Sequence, residues 1–239
     1  MPKKTKAGQN VNAQLVSDPK YAPFEGHFRR PVKTSLARQK GKIVPTKTFP
    51  DLGALLDSLV PDATMRSDHK LKVRTVAQKK AQQKGATGPL TRFPEELRNV
   101  KVTAWMCAVK YESDKGGDND FHVILSSAPN TSAGSTRFMT SEVSGLPVKG
   151  AGTAAGDKAV LDPTSPDFKT LTNARQQLVD FFPQQKLVST FFKLPKATKV
   201  TVTGSLHFDS DHTAGTIGPQ GMRPQTSWEI HPVSSVIAV

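Results

Sequence analysis

The second half of the chain carries segments whose apolar residues recur at every second position, and this period constrains the fold more than any other feature. The stretch 100–127 is rich in β-branched and aromatic residues around a polar, Gly-containing turn, which predicts a hairpin with a long turn, and 136–145 predicts a third strand. Two further strands are predicted at 197–211 and 227–239. We therefore expect this half to hold the core of a mainly β domain.

One helix interrupts this series of strands. In 165–183, Ser165 is a suitable N-cap, Pro166 suits the first helical position and Pro183 marks the end. The apolar face of the helix consists of Phe168, Leu171, Leu178 and Phe181. Three strands, a helix and two strands are the order expected of an OB-type fold, a partly open five-stranded Greek-key barrel. The sequence predicts an OB-like five-stranded β-barrel at 97–239 with its helix between strands three and four; the alternative is an unrelated small β-barrel with a helical insertion.

The first 96 residues differ in composition from the rest. Lys and Arg number 20 against 8 Asp and Glu in 1–100, but 13 against 12 in 101–239, so the net charge of +13 comes almost entirely from the N-terminal half. Residues 1–45 show no sustained period, whereas leucines at helical spacing predict a short helix at 51–60 that packs on the main domain. We predict that 1–96 is a basic, partly extended arm with one short helix.

A basic arm is typical of proteins that bind nucleic acid, another anionic surface or an acidic partner. Within it, 66–88 carries seven basic residues but no aromatic residue on which a base could stack, so a solvated linker is the alternative interpretation. The candidate contacts to nucleic acid or another polyanion are Arg29, Arg30, Lys33, Lys79, Lys80 and Lys84.

Other features bear on the compartment. The single cysteine, Cys107, lies in an apolar run and is predicted to be a buried small side chain, so no intrachain disulfide is expected. The basic N-terminus lacks the apolar stretch of a secretory signal, and no run approaches the roughly 18 apolar residues of a membrane span. We expect a soluble, cytoplasmic protein.

Histidines and carboxylates gather in the last two predicted strands. Alternation places Glu229 and His231 on one face of the final strand, opposite Trp228 and Ile230. Asp209 and His212 come within reach of Glu229 and His231 if strands four and five form a hairpin, and His122 on the second strand, preceded by Asp120, adds a third histidine. Imidazole and carboxylate groups together suit one divalent ion such as Zn, Mn, Fe or Ni, so His122, His212, His231 and Asp209 are the candidate ligands.

Such an ion could activate water for hydrolysis, with Glu229 or Asp209 as the general base. The alternative is a structural polar network, because buried Asp–His or Glu–His pairs satisfy each other without a ligand. The sequence contains no His-Glu-x-x-His motif, no Gly-x-Ser-x-Gly elbow and no phosphate-binding loop. Those classes of hydrolase and nucleotide-binding protein are therefore not indicated.

Several stretches of the chain resemble, in the same order, a group of uncharacterised bacterial proteins. These stretches are "RRPVKT" at 29–34, "YESDKGGDNDFHVIL", "FMTSEV", "VTGSLHFDSDHTAG" and "WEIHPV". The resemblance runs from about residue 29 to 236 and implies no established activity. It implies that the arm packs on the barrel, where Arg30 or Lys33 could pair with its carboxylates. The distinctive polar positions of the group fall on Arg30, Lys33, Asp120, His122, Asp209, His212, Glu229 and His231.

The sequence predicts, as the leading function, a non-enzymatic module that binds nucleic acid or another polyanion through its basic N-terminal half. The first alternative is a metal-dependent hydrolase with one divalent ion held by the histidines and carboxylates. The second is a structural or assembly protein whose arm binds a partner subunit or a second copy.

Overall fold

A computed structural model of the chain describes residues 29–75, 78, 91–112, 120–145 and 165–239. Its helices are α1 (Arg30–Lys33), α2 (Leu52–Asp57), α3 (Asp62–Asp68) and α4 (Phe168–Asp180), with a 3₁₀ turn at Pro94–Glu96. Its strands are β1 (Arg38–Gln39), β2 (Lys42–Ile43), β3 (Thr46–Phe49), β4 (Asn99–Tyr111), β5 (Phe121–Ser126), β6 (Phe138–Val143), β7 (Phe192–Phe208) and β8 (Trp228–Ala238).

Five of the strands close into a ring. β4 pairs with β5, and β5 with β6, both antiparallel; β6 then pairs in parallel with β8. β8 pairs antiparallel with β7, which returns to β4 and closes the ring, while β3 adds to β4 in parallel outside it. The prediction of a mainly β fold is confirmed, and α4 lies in sequence between the third and fourth strands of the ring, as expected.

Alternation along the strands separates an inner face from an outer face. The inner face carries the main core, which includes Val102, Val123, Met139, Leu206 and Ile230. Side chains between these positions point to the other side of the sheet, which we call the outer face. One strand can therefore carry apolar side chains on its inner face and polar side chains on its outer face, and the polar groups gather on the outer face.

Cys107 lies at an irregularity of the ladder between Met106 and Ala108. It is buried, as predicted, and its Sγ lies 3.2 Å from the carbonyl oxygen of Ile124. Burial raises the pKa of the Cys107 thiol to about 12. A thiolate nucleophile at neutral pH is therefore not available at this position.

The helix α4 begins later than predicted. Ser165 does not cap it; instead its hydroxyl and carbonyl accept bonds from the N–H groups of Asp167 (3.2 Å) and Phe168 (3.0 Å), which form a turn before the helix. Asp167 is the N-cap residue, but its carboxylate is engaged elsewhere and makes no capping bond. Of the predicted apolar face, Leu171 and Leu178 are buried, and Leu178 belongs to the main hydrophobic cluster. Phe168 is half-buried, and Phe181 is partly buried against that cluster.

The N-terminal half contributes to the same core as the ring. Phe49, Leu52, Leu55 and Met65 are buried in the main hydrophobic cluster. The helix predicted at 51–60 is α2, and Asp51 caps it by accepting a bond from the Ala54 N–H at 2.8 Å. The division of the chain at 96/97 stays a prediction.

Residues 29–38, which we call the arm segment, pack on the outer face of the ring. Arg92 links the two, because its guanidinium donates to the carbonyls of Val32 (2.7 Å) and Ser35 (2.6 Å) in the arm segment and to that of Leu206 in β7. The Ala37 N–H donates to Ser205 Oγ at 2.8 Å. The arm segment thus covers part of this face.

Asp167 anchors the end of the arm segment, and its replacement by asparagine tests this contact. Its carboxylate accepts bonds from the Leu36 N–H (2.9 Å) and from both Nη atoms of Arg38 (2.5 and 2.6 Å). Burial alone would raise the pKa of Asp167, but the bonds from Arg38 and Leu36 outweigh it and lower that pKa.

We expect Asp167→Asn to lower the free energy of unfolding by about 1.5–3 kcal/mol at pH 7, the range for hydrogen bonds to a charged group. Because the pKa is lower in the fold, this stabilisation is complete above the unfolded value of about 3.9 and is lost as the pH falls further. Urea unfolding of both proteins from pH 7 to pH 3 measures the difference. A difference that stayed constant over this range would contradict an ionic anchor.

None of the described helices combines the length and the apolarity needed to cross a bilayer.

Candidate metal centre

Histidines and carboxylates converge on the outer face, where β5, β6 and β8 lie side by side. His122 in β5 is directly opposite Glu142 in β6. In the parallel pair of β6 and β8, Thr140 is opposite Glu229, and continuing this register brings Glu142 beside His231. The central cluster, as we name it, consists of Asp120, His122, Glu142, Glu229 and His231, all of which are buried.

Glu142 lies at the middle of the central cluster. Its Oε1 is 2.7 Å from His122 Nε2, and its Oε2 is 2.7 Å from His231 Nδ1. Yet Glu142 Oε1 and His231 Nδ1 have no hydrogen-bond partner among the described residues, so neither close approach is aligned as a hydrogen bond. The carboxylate and the two imidazoles therefore make close charged contacts whose geometry is not that of aligned hydrogen bonds.

Six buried nitrogen or oxygen atoms of the central cluster share this lack of a hydrogen-bond partner within the described part of the chain. They are Asp120 Oδ1 and Oδ2, His122 Nδ1, Glu142 Oε1, Glu229 Oε2 and His231 Nδ1. Buried polar atoms are nearly always paired, and an exception calls for a bound water, an ion or a functional role. The cluster therefore has unused capacity to hold a ligand.

Three groups of side chains place one ligand atom from each member within 4.8 Å of the others. They are Asp120, His122 and Glu142; Glu142, Glu229 and His231; and His207, Asp209 and Glu229. Glu142 and Glu229 each belong to two of these triads, and each triad contains one histidine. The three histidines predicted as joint ligands of one ion, His122, His212 and His231, are thus divided among different surroundings.

His212 contacts the central cluster from the loop between β7 and β8. Its Nδ1 forms a hydrogen bond of 2.9 Å with Glu229 Oε1, and it lies 3.4 Å from Asp209 Oδ2. Its backbone carbonyl accepts a bond from Arg66 at 2.8 Å, which fixes the loop. His212 therefore orients Glu229 and leaves Glu229 Oε2, the oxygen near His231, for another partner.

Asp209, predicted as a ligand or general base, is committed to the turn after β7. It accepts a bond from the Asp211 N–H at 2.8 Å and lies 3.7 Å from Lys33 Nζ. Burial alone would raise its pKa, but the positive charges of His212 and Lys33 outweigh it and hold that pKa well below its usual range. A carboxylate so strongly stabilised as an anion is a weak base, so Asp209 does not suit general-base catalysis.

Charges within the central cluster shift the pKa values of its own members. Burial alone would lower the pKa of His231, but the negative charge of Glu142 outweighs it and raises that pKa to about 9. The charges on Glu142 and Asp120 likewise overcome burial and raise the pKa of His122. Burial would raise the pKa of Glu142, yet the two imidazoles lower it. The carboxylates thus demand positive charge, which either imidazolium groups or a bound cation can supply.

A second buried ion pair lies beside the central cluster. Both Nη atoms of Arg29 donate to the Glu96 carboxylate, at 2.7 and 2.6 Å, and the Glu96 oxygens also accept from the N–H groups of Phe208 and Phe93. His207 Nδ1 is 3.3 Å from Glu96 Oε1. Burial lowers the pKa of His207, which favours the neutral form of this imidazole.

Two of the six basic residues predicted to contact a polyanion are engaged in ion pairs within the protein. Arg29 is buried against Glu96, and Lys33 is largely buried and pairs with Asp209, so neither is presented to a phosphate backbone. Charge pattern alone cannot distinguish such ion-paired side chains from solvated ones. The side chains of Arg30, Lys79, Lys80 and Lys84 lie outside the described residues.

Sequence reasoning missed Glu142 and Glu96. Glu142 is the only charged residue in a strand of Phe, Met, Thr, Ser and Val, and alternation places it opposite the inward Met139 and Val143. A single charged residue in an otherwise uncharged strand was the sequence feature that could have identified Glu142 as a candidate site residue. Its position beside His122 depends on strand register, which the sequence does not reveal.

No family model, curated protein sequence or solved structure matches this chain.

Proposed function

We propose that this protein binds a divalent transition-metal ion at the triad of Glu142, Glu229 and His231. The observation that carries the proposal is the pair of buried atoms Glu229 Oε2 and His231 Nδ1, which are 3.9 Å apart and have no hydrogen-bond partner among the described residues. His231 Nδ1 is also 2.7 Å from Glu142 Oε2. Both separations are below about 4.4 Å, which is twice a typical ligand bond of ~2.0–2.2 Å.

The donor set supports the class of ion. Two carboxylates and one imidazole form a mixed oxygen and nitrogen set, which suits Zn, Mn, Fe or Co better than Ca or Mg. Two carboxylate charges also balance one divalent ion while His231 is neutral. Asp120, His122 and the second oxygen of Glu142 lie beside this triad and offer ligands for a second ion.

Burial favours a retained ion over hydrolysis. Glu142, Glu229 and His231 have exposures of 1%, 2% and 2%, and the arm segment packs on the same face. A catalytic metal keeps an open position that a substrate can reach. The proposal is therefore a metal-binding protein, and it places the ion where it would tie β6 to β8.

The fold that carries this centre is, we propose, of the OB type. The ring order β4–β5–β6–β8–β7–β4 and the helix between its third and fourth strands support this assignment. The parallel contact of β6 with β8 is the pairing that brings Glu142 next to Glu229 and His231. An experimental structure in which β4 and β7 do not pair would contradict it.

Metal content of the purified protein tests the function. We expect about one transition-metal ion per chain to co-purify with the wild type, and His231→Ala to weaken binding of that metal by more than about 100-fold, because even outer-shell partners contribute 10–100-fold. Inductively coupled plasma mass spectrometry and titration of the metal-stripped protein provide the two measurements.

His69→Ala is the matched control. His69 also pairs with a glutamate, since its Nε2 lies 3.0 Å from Glu95 Oε2, but it lies outside the three triads. This variant should bind metal as the wild type does, and circular dichroism should show all three proteins folded. A wild type that binds no transition metal, or equal binding by folded His231→Ala, would overturn the proposal.

A further inference from the structure

A groove runs between the loop that joins β5 to β6 and the loop that joins β7 to β8. It contains two adjoining cavities, of about 680 Å³ and 460 Å³. They share five lining residues, Gly134, Thr136, Phe138, Gln220 and Gly221. The groove lies at the N-terminal end of β6, whereas Glu142 is near the C-terminal end of that strand. The groove is therefore separate from the central cluster.

The lining of the groove is positively charged. Arg137 and Arg223 line the larger cavity, and Lys193 lines the smaller one. Among the described residues, neither cavity is lined by an aspartate or a glutamate. Three cations lie along one concave surface, and only Arg137 pairs with a carboxylate, that of Asp57, among the described residues, so the surface favours an anionic ligand.

The cations are held in place by the surrounding loops. Arg137 donates to Asp57 Oδ1 at 2.6 Å and to the carbonyl of Gly53 at 2.7 Å, which fixes its guanidinium at the wall. Lys193 Nζ donates to the carbonyl of Gln220 at 3.3 Å. Arg223 is exposed and makes only a long contact of 3.4 Å with the carbonyl of Gly215 within the described residues. Arg223 is therefore the cation most available to a ligand.

The backbone of both loops is also open to the groove. A Cβ atom added at Gly134 or Gly221 would meet nothing within 4 Å. A ligand can therefore approach the main chain closely at these two positions, one from each loop. Phe138, which is almost fully buried, supplies an apolar floor rather than a stacking surface.

We propose that this groove binds an extended phosphate-bearing anion that contacts Arg137, Arg223 and Lys193 together. The larger cavity falls within the range of about 300–1,000 Å³ typical of ligand sites. Arginine suits phosphate because its planar guanidinium offers paired donors. A chain of inorganic phosphates and a single-stranded nucleic-acid backbone share this chemistry.

Fluorescence anisotropy with a labelled 12-nucleotide oligothymidylate, on the full chain at low salt, tests the groove. We expect Arg223→Ala to weaken binding by about tenfold, the loss of one charge-assisted contact. The dependence of log Kd on log salt should also become shallower by about 0.7, the contribution of one phosphate on a single strand.

Lys169→Ala is the control, because it removes one positive charge from an exposed position on α4 and leaves the same net charge as Arg223→Ala. It should bind within about twofold of the wild type, because Lys169 lines neither cavity. Equal loss in the two variants would show diffuse attraction and overturn the groove, as would no binding of any probe.

Competition by inorganic tripolyphosphate distinguishes the source of the phosphates. Displacement of the oligonucleotide by tripolyphosphate, lost in Arg223→Ala, would show that a short phosphate chain suffices. Oligonucleotide binding that depends on Arg223 but resists tripolyphosphate would identify the longer nucleic-acid backbone. Both results retain a phosphate-binding groove.

Discussion

Replacing Arg29 by alanine lowers the free energy of unfolding by about 3–5 kcal/mol, the cost of removing one partner from a buried ion pair. Arg29 and Glu96 are exposed by only 1% and 0%. The guanidinium donates to both carboxylate oxygens and stacks over the Phe93 ring at 4.1 Å. Without it, the Glu96 carboxylate stays buried and keeps the N–H groups of Phe93 and Phe208 as donors, but it loses its bidentate cation. Urea unfolding at pH 7, followed by circular dichroism, gives the difference.

Arg137→Ala is the matched control for this measurement. Arg137 also pairs with a carboxylate, at 2.6 Å from Asp57, but the two side chains are 44% and 71% exposed. Exposed ion pairs contribute about 0–1 kcal/mol, so this variant should unfold close to the wild type. If Arg29→Ala were as stable as Arg137→Ala, the buried pair would not hold the arm segment to the domain.

The secondary structure was largely predictable because strand and helix periods are local properties of the sequence. Alternation placed Glu229 and His231 opposite Trp228 and Ile230, and the structure has that arrangement. The pairing of β7 with β8 also followed, since the two are consecutive strands. Closure of the ring by β4 and β7 could not be read in the same way, because it pairs residues far apart in the chain, from Asn99 with Ser205 to Val109 with Phe192.

The candidate site was predictable only in part, for the same reason. His122, Glu229 and His231 were identified as polar residues on strands, but the residue between them, Glu142, belongs to a third strand whose register depends on two loops. The start of α4 was misplaced because Asp167 binds Arg38, 129 positions earlier in the chain. In each case the position of the residue depends on a partner that is distant in the chain, and a single sequence does not reveal which residue that partner is.

Because Glu142 lies between the two histidines, replacing it is the most direct test of the proposed metal centre. Glu142→Gln keeps the size of the side chain and removes its charge, and the residue belongs to two of the three triads. We expect this variant to lose transition-metal binding by more than about 100-fold, exceeding the 10–100-fold effect of an outer-shell partner, because both adjoining triads lose their shared carboxylate.

Stability gives a second measurement of the same loss. A ligand that binds only the folded state at 1,000 times its Kd adds about 4 kcal/mol to the free energy of unfolding. The wild type should show this gain when the metal is added to stripped protein, whereas Glu142→Gln should show almost none. Glu95→Gln, which alters a Glu–His pair outside the triads, should gain as much as the wild type.

The two glutamine variants also separate the metal centre from a purely polar network. In a network of protonated histidines and carboxylates, Glu142→Gln destabilises the protein by the same amount with or without metal, because no ion takes part. In a metal centre, the difference between the wild type and Glu142→Gln grows with metal concentration. A difference that does not change with added metal would therefore leave Glu142, His122 and His231 as a structural network and reject the ion.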